Sequence, residues 1–202
     1  MNICKYCISD LVFDLGNVLV AVDYRRFTDF MDWDYDQFMR FLATDLFRDF
    51  ECGRRTEAEC FREMAKFLSL KESDIPRYRA NIHRAFPLWR EILELLPELR
   101  KKYRLYLFSN TNSLDFNAIS RHIPFRELFD GVYTSFERGY LKPGPEAYEH
   151  IMRLFSPDPG GILYFDDRPE NIEAGIRAGW QSVRIENRES IGKIIRDLCE
   201  DL

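Results

Sequence analysis

Three apolar runs in this sequence each end in polar side chains that could do chemistry. The runs at 11–13, 105–108 and 162–165 are followed by Asp14, Ser109–Asn110 and Asp166–Asp167. Such runs are typical of buried strands, and ligands of open α/β sheets bind beyond the carboxyl ends of the strands. Carboxylates, hydroxyls and amides placed there could attack phosphorus, bind a metal ion or hold phosphoryl oxygens. The pattern therefore predicts one polar site built from three strand ends.

Asp14 is the candidate nucleophile. If its carboxylate attacks phosphorus, a covalent aspartyl phosphate divides a difficult hydrolysis into two displacements. The turn at Gly16 and Asn17 could offer backbone N–H groups to the phosphoryl oxygens, and Gly16 lets the backbone come close to them. An aspartate at the end of a strand can also be only a turn former or a helix cap, so Asp14 by itself leaves both roles open.

Ser109 and Asn110 supply a hydroxyl and an amide that could hold phosphoryl oxygens without adding charge. The same polar cluster could simply cap the following helix, and both roles are compatible because a helix N-terminus attracts anions. Lys142 stands between a strand and a helix that begins at Pro145. A lone lysine is usually a solvated surface charge, but a carboxylate that faces a phosphate dianion needs cations. One ammonium and one metal ion would supply them.

Asp166 and Asp167 form the strongest local signal. Adjacent carboxylates at the end of a buried strand repel each other and lose solvation, and a bound cation relieves both costs. Mg²⁺ prefers few carboxylates and several waters, so Asp14, Asp167 and a backbone carbonyl at Gly16 would suffice as ligands. The alternative is a polar loop in which acidic side chains lie favourably near the start of the next helix.

The elements that position these residues follow from the hydrophobic pattern. Two further strands are predicted near 132–134 and 182–185, and helices at 113–121, 145–155, 169–178 and 189–198. This alternation predicts an α/β fold with a parallel sheet and helices on both faces. Apolar residues at helical spacing, with a capping box that begins at Thr56, predict an all-helical insert after the first strand. We expect a core of residues 1–22 and 97–202 and an insert of residues 23–96.

Composition excludes several classes of protein. The 202 residues carry a net charge of −5 and a pI near 5.4, which argues against nucleic-acid binding. No apolar run is long enough to span a bilayer, and the N-terminus does not resemble a signal peptide. The five cysteines are scattered and expected to be reduced, and Cys4 with Cys7 lacks a second pair at zinc-site spacing. We expect a cytoplasmic protein without membrane partners, whose partner is a small phosphorylated substrate; the oligomeric state stays open.

The four motifs together resemble the haloacid dehalogenase superfamily in order and spacing, over nearly the whole chain. The resemblance implies a Rossmann-like core, a helical cap, Mg²⁺ dependence and a phosphoaspartate intermediate. It also implies that Asp167 binds the metal ion directly and that Asp166 lies next to the ligands without binding the metal ion itself. The segments 13–18, 50–56, 107–112 and 165–172 look like the bacterial α-D-glucose-1-phosphate phosphatase branch, which is similar to the phosphatase domain of mammalian epoxide hydrolase.

The sequence departs from this resemblance at Gly16, where most phosphatases of the superfamily carry a second aspartate that acts as acid and base. Metal-independent 2-haloacid dehalogenases also lack it, but they do not carry the paired carboxylates seen at Asp166. A non-catalytic binding or regulatory protein is the remaining alternative. Without an acid, phosphate esters with good leaving groups such as hexose 1-phosphates are favoured, unless a cap residue such as Glu51, a candidate substrate contact, replaces it.

Overall fold

A five-stranded, all-parallel sheet forms the centre of the molecule. The computed structural model describes residues 7–155 and 158–200, so Cys4 of the C-x-x-C pair lies outside the described residues. The sheet has the strand order β3-β2-β1-β4-β5. Its strands are β1 (Asp10–Phe13), β2 (Arg104–Ser109), β3 (Gly131–Thr134), β4 (Ile162–Asp166) and β5 (Gln181–Arg184). The predicted α/β fold with a parallel sheet is confirmed.

The register of the central strands brings their carboxyl ends to one level. Phe13 pairs with Leu107 of β2 and with Phe165 of β4. The backbone N–H of Asp14 then donates to the carbonyl of Phe165 at 2.9 Å. The residues that follow Phe13 and Phe165 therefore emerge side by side, with the end of β2 next to them.

Apolar side chains of the strands pack on both faces of the sheet. Leu11 and Phe13 belong to one buried cluster and Val12 to the other, because successive side chains of a strand point to opposite faces. The rings of Phe13 and Phe165 stack at 4.9 Å between centroids. Each fully buried side chain of this size stabilises the fold by roughly 1.5–3 kcal/mol through removal from water. The strand ends that carry the polar residues are therefore anchored in the core.

Helices cover both faces of the sheet, as predicted. They are α8 (Ser113–Ser120), α9 (Phe125–Leu128), α10 (Ser135–Arg138), α11 (Pro145–Phe155), α12 (Pro169–Arg177) and α13 (Arg188–Glu200), with a short 3-10 helix at Pro159–Gly161. Pro169 stands in the first turn of α12, where the missing N–H costs little. Asn112 caps α8, and its side-chain oxygen accepts from the N–H groups of Leu114 and Asp115 at 3.0 Å each. None of the helices within the described residues is both long and apolar enough to cross a membrane.

The chain between β1 and β2 is helical, which confirms the predicted insert. Its elements are α1 (Tyr24–Met31), α2 (Tyr35–Leu42), α3 (Asp45–Glu51), α4 (Glu57–Phe67), α5 (Asp74–Asn81), a 3-10 helix (Ile82–Ala85), α6 (Arg90–Leu93) and α7 (Leu96–Leu99). The expected capping box is present at Thr56, where Thr56 and Glu59 bond reciprocally. Local capping and an aromatic cluster around Phe27, which contacts the rings of Trp33 and Tyr78, hold these short helices together.

The two chain segments that connect the core with the cap pair through an isolated β-bridge. Val20 on the outgoing segment pairs with Leu88 on the returning one, whereas α6 and α7 pack against α13 of the core. We keep residues 23–96 as a proposed cap, whose last part, from α6 onward, packs against the core.

Candidate active site

The strand ends place Lys142 between two carboxylates. Its ammonium nitrogen lies 2.8 Å from Oδ1 of Asp14 and 2.7 Å from Oδ2 of Asp166, and it donates to the carbonyl of Phe108 at 2.6 Å. All three N–H groups of the ammonium therefore have acceptors. Burial lowers the pKa of Lys142, but Asp14 and Asp166 outweigh it and hold the pKa above its usual value. The lysine is a fixed positive charge beside the candidate nucleophile.

Asn110 holds Lys142 in this position. Its Nδ2 donates to the backbone carbonyl of Lys142 at 2.8 Å, and its Oδ1 accepts from the backbone N–H of Lys142 at 2.9 Å. Both ends of the amide are thus engaged, and the peptide bond between Lys142 and Pro143 is cis. The side chain of Asn110 thus fixes the loop that carries the lysine, and its contact with phosphate stays a prediction.

Asp166 is fully buried and surrounded by donors. Besides Lys142, its carboxylate accepts from the hydroxyl of Tyr164, the backbone N–H of Arg168 at 2.9 Å and the side-chain amide of Asn171 at 3.0 and 3.1 Å. Burial raises the pKa of Asp166, but Lys142 outweighs it and the pKa is lowered overall. A carboxylate with so many donors orients its neighbours and has little capacity left for a metal ion.

Asp14 and Asp167 are less saturated. Oxygen atoms of Asp14, Asp166 and Asp167 lie within 4.8 Å of one another, a spacing that could hold a metal ion. Asp167 accepts from the side-chain amide of Asn17 at 3.0 Å, and Asn17 adopts a left-handed φ of 54°. Asp14 and Asp167 therefore fit a hard cation such as Mg²⁺, which carboxylate oxygens suit.

Asp14 itself sits in a strongly charged environment. Its side chain is 13% exposed. Burial raises its pKa to about 7, while Lys142 acts in the opposite direction and Asp166 and Asp167 add to the rise. A further cation next to Asp14 would favour the ionised form that a nucleophile needs.

A cavity of about 80 Å³ opens between the cap and the core beside these residues. It is lined by Leu15, Gly16, Val20, Val22, Tyr24, Glu51, Phe86, Ser109, Asn110, Thr111, Asp115 and Ile119. The predicted residues Gly16, Ser109, Asn110 and Glu51 thus share one space. This volume is smaller than that of most ligand pockets, which is about 300–1,000 Å³.

Two residues of this cavity, Asp115 and Tyr24, have no feature in the sequence that indicates a functional site. Asp115 lies in the first turn of α8, where an acidic residue is ordinary because it favours the helix N-terminus. In the structure it is only 5% exposed, since the cap covers it. Tyr24 begins α1, directly after the capping residue Asp23, and reads from sequence as part of the amphipathic helix.

Three arginines of the cap, Arg25, Arg54 and Arg55, do not line the cavity. Arg54 and Arg55 pair with Asp49, and the guanidinium of Arg25 lies over the ring of Tyr35 at 3.9 Å. These three arginines thus contact other side chains of the cap. His83 and His122, which are distant in sequence, have ring centroids 5.8 Å apart, outside the residues that line the cavity.

Comparison with known proteins identifies the family. A family model described as a haloacid dehalogenase-like hydrolase matches residues 11–179. The chain belongs to this family of hydrolases. The expected family, fold and enzyme class are therefore confirmed.

Relatives of this hydrolase include named phosphatases. A D-ribitol-5-phosphate phosphatase of Bacteroides thetaiotaomicron is 27% identical over 89% of this chain and 93% of that protein. A sesquiterpene phosphatase of Aspergillus oryzae is 25% identical over 68% of this chain and 71% of its own length.

A solved family enzyme from Bacteroides thetaiotaomicron, in its complex with magnesium and inorganic phosphate, has a TM-score of 0.79 and 26% identity, covering 88% of this chain and 93% of that one. The expected magnesium cofactor agrees with that complex and with the three clustered carboxylates of this chain.

Proposed function

We propose that this hydrolase is a Mg²⁺-dependent phosphatase that hydrolyses a small phosphorylated metabolite, a sugar phosphate such as a hexose 1-phosphate, through an aspartyl phosphate. The observation that carries the proposal is the contact of the Lys142 ammonium with Asp14 at 2.8 Å and with Asp166 at 2.7 Å, beside a third carboxylate. This arrangement supports Asp14 as nucleophile and Lys142 as fixed cation, with room for a second cation, where β1 and β4 end.

In this proposal, each residue of the site has a separate role. The carboxylate of Asp14 attacks phosphorus, and the fixed charge of Lys142 offsets the negative charge that builds up on the phosphoryl group. The hydroxyl of Ser109 and the backbone N–H of Gly16 hold the phosphoryl oxygens, whereas the backbone N–H of Asn17, also predicted to do so, donates to the carbonyl of Val20 at 2.6 Å. Asp166 keeps Lys142 in place through the contacts described above.

The carboxylates of Asp14 and Asp167 with the carbonyl of Gly16 would hold the metal ion. Bound there, Mg²⁺ would neutralise phosphoryl charge and orient the group for in-line displacement.

The buried charges favour a phosphatase over the two alternatives. Burying ions costs several kcal/mol for each unless they are paired, and a protein freed from catalysis has no physical need for Lys142 with three carboxylates. A dehalogenase displaces halide and needs no divalent cation. The solved L-2-haloacid dehalogenase of Xanthobacter autotrophicus is 15% identical with a TM-score of 0.64, covering 88% of this chain and 77% of that one, and at this identity the likeness concerns the fold alone.

The cavity supports a substrate that carries hydroxyl groups. Tyr24, Glu51 and Asp115 line it together with Gly16 and Ser109, so the alcohol portion of a substrate held at the strand ends would have polar side chains near it. The relative named for D-ribitol 5-phosphate acts on a compound of this class. A cytoplasmic location remains our prediction from the sequence.

Trapping of beryllium trifluoride tests competence of the site without any substrate. This phosphoryl analogue should bind the purified protein only in the presence of Mg²⁺, giving new ¹⁹F resonances that are absent from Asp14→Asn. In parallel, release of phosphate is measured for hexose 1-phosphates, hexose 6-phosphates and pentitol phosphates, and release of halide for 2-haloacids. Trapping without Mg²⁺, or chelator-insensitive halide release in the absence of phosphatase activity, would refute the proposal.

A further inference from the structure

The candidate site lacks a group that can protonate the departing oxygen. Asp14 is consumed as nucleophile, all three N–H groups of Lys142 are engaged, and Asp166 is held in its ionised form. Gly16 has no side chain, and a Cβ built on it would lie 2.9 Å from Cγ2 of Val22. Val22 thus fills the space that a longer side chain at residue 16 would enter.

Two carboxyl groups, those of Glu51 and Asp115, line the adjoining cavity. Oδ2 of Asp115 accepts from the amide of Asn112 at 2.9 Å, but its buried Oδ1 has no hydrogen-bond partner among the described residues. Glu51, the last residue of α3, lines the same cavity. An unpartnered oxygen of a buried carboxylate is costly, and this cost falls when the two groups share a proton or contact a ligand.

Burial and the charges that face Glu51 together raise the pKa of its carboxyl. Burial raises its pKa to about 7, Asp115 on α8 adds to the rise, and Arg168 after β4 and Arg48 on its own helix oppose it. Burial likewise raises the pKa of Asp115 to about 7. Tyr24 lies in the same cavity, but burial and the two carboxylates raise its pKa well above the usual value, which makes it a poor acid. Among the cavity residues, the carboxyl pair has the acidity that proton transfer near neutral pH requires.

We propose, on the basis of the proposed function, that Glu51 of the cap donates a proton to the leaving oxygen, and that Asp115 of the core is the positioning residue that keeps this carboxyl protonated. In the first step, the Asp14 oxygen bonds to phosphorus as the bond from phosphorus to the alcohol oxygen breaks, and the proton of Glu51 passes to that oxygen. In the second step, the Glu51 carboxylate takes a proton from water as water attacks phosphorus. The bond to Asp14 then breaks, phosphate leaves, and the protonated Glu51 is restored.

The location of the pair links proton transfer to cap closure. Glu51 belongs to the cap and Asp115 to the core, and both side chains line the cavity between them. A substrate that holds the cap over the cavity keeps Glu51 and Asp115 together as the proton-donating pair. With this proton donor, phosphate esters of ordinary alcohols become substrates as well as hexose 1-phosphates.

Single-turnover release of alcohol, with Mg²⁺ present, tests the first chemical step alone. The substrates are an alkyl and an aryl phosphate, and the variants are Glu51→Gln and Asp115→Asn. Glu63→Gln serves as the matched control, because Glu63 lies on cap helix α4 in a surface pair with Lys66. Loss of a general acid costs roughly 10²- to 10⁴-fold. We expect Glu51→Gln to lose this factor with the alkyl phosphate and less than about tenfold with the aryl phosphate, whose leaving group needs little protonation.

The pH profile separates positioning from a merely structural role. For the alkyl phosphate, the rate in the parent should fall as pH rises through about 7, because Glu51 loses its proton. Asp115→Asn removes a neighbouring negative charge, so the pKa of Glu51 should fall and this limb should move to lower pH. Equal losses for both esters in Glu51→Gln, or an unmoved limb in Asp115→Asn, would overturn the inference. Failure of the parent to hydrolyse either ester would instead overturn the proposed function.

Discussion

Replacement of Lys142 by methionine measures the contribution of one buried ammonium. Lys142 is 4% exposed, and methionine keeps an apolar stem of similar length while it removes the charge and the three donors. Removal of one partner from a buried ion pair costs about 3–5 kcal/mol. In a chain of this size each kcal/mol lowers Tm by roughly 2–4 °C. We therefore expect the Tm of the Mg²⁺-free protein to fall by roughly 6–20 °C.

The pH dependence of this loss identifies its cause. In the parent, burial raises the pKa of Asp166 but Lys142 outweighs it, so the carboxylate stabilises the fold above its unfolded pKa and this stability is lost as pH falls through the folded value. In Lys142→Met burial acts unopposed, and the folded pKa rises above the unfolded one. The protonated form is then the favoured one, so the destabilisation is smallest below about pH 4 and grows as pH rises toward neutrality.

Urea unfolding, followed by circular dichroism without Mg²⁺ at about pH 5 and about pH 7.5, measures both effects. Lys66→Met is the matched control, since the side chain of Lys66 is 66% exposed and pairs with Glu63 on the surface. It should change the free energy of unfolding by less than about 0.5 kcal/mol. A loss below about 1 kcal/mol in Lys142→Met, or an equal loss at both pH values, would refute the assignment of Lys142 as the counter-charge of buried carboxylates.

Three further outcomes follow from the site. Asp14→Asn should lower turnover by roughly 10³-fold or more with an unchanged circular dichroism spectrum, because the amide cannot attack phosphorus; near-normal phosphate release from the pure variant would contradict this. Chelation should abolish phosphate release and Mg²⁺ restore it, whereas Asp167→Ala should need far more Mg²⁺; an unchanged titration would exclude Asp167 as ligand. Gly16→Asp should cost roughly 1–3 kcal/mol because it crowds Val22, and Val22→Ala in the same chain should recover part of it; equal urea midpoints would show that the turn adapts.

The strand ends could be predicted from the sequence because their signal is local. Each apolar run stops at a polar residue, and the parallel sheet brings the stops to one edge. Lys142 could be assigned to the site only through its motif, since nothing near it in sequence indicates burial. Its position depends on the amide of Asn110, which is 32 residues away.

The contents of the cavity could not be predicted because they depend on how the cap meets the core. Asp115 reads as an exposed residue of a first helical turn until the cap covers it. Phe30 shows the converse: it is one of the apolar residues at helical spacing in the insert, yet it is 39% exposed. The guanidinium of Arg84 lies 4.0 Å from its ring centroid, a cation–π contact that partly covers the ring.

Charge balance connects the buried lysine with the need for a metal ion. Asp14, Asp166 and Asp167 carry three negative charges when ionised, and Lys142 offsets one of them. A phosphate dianion that approaches this site would meet a net negative charge at short range, where Coulomb energies reach about 4 kcal/mol per pair at 4 Å near a protein surface. One divalent cation cancels the remaining excess and leaves the phosphoryl group facing a neutral cluster in which Lys142 is positioned to attract it. A second lysine could not do the same, because an ammonium supplies one charge and no coordination geometry, whereas Asp14 and Asp167 offer the oxygen ligands that a hard cation prefers.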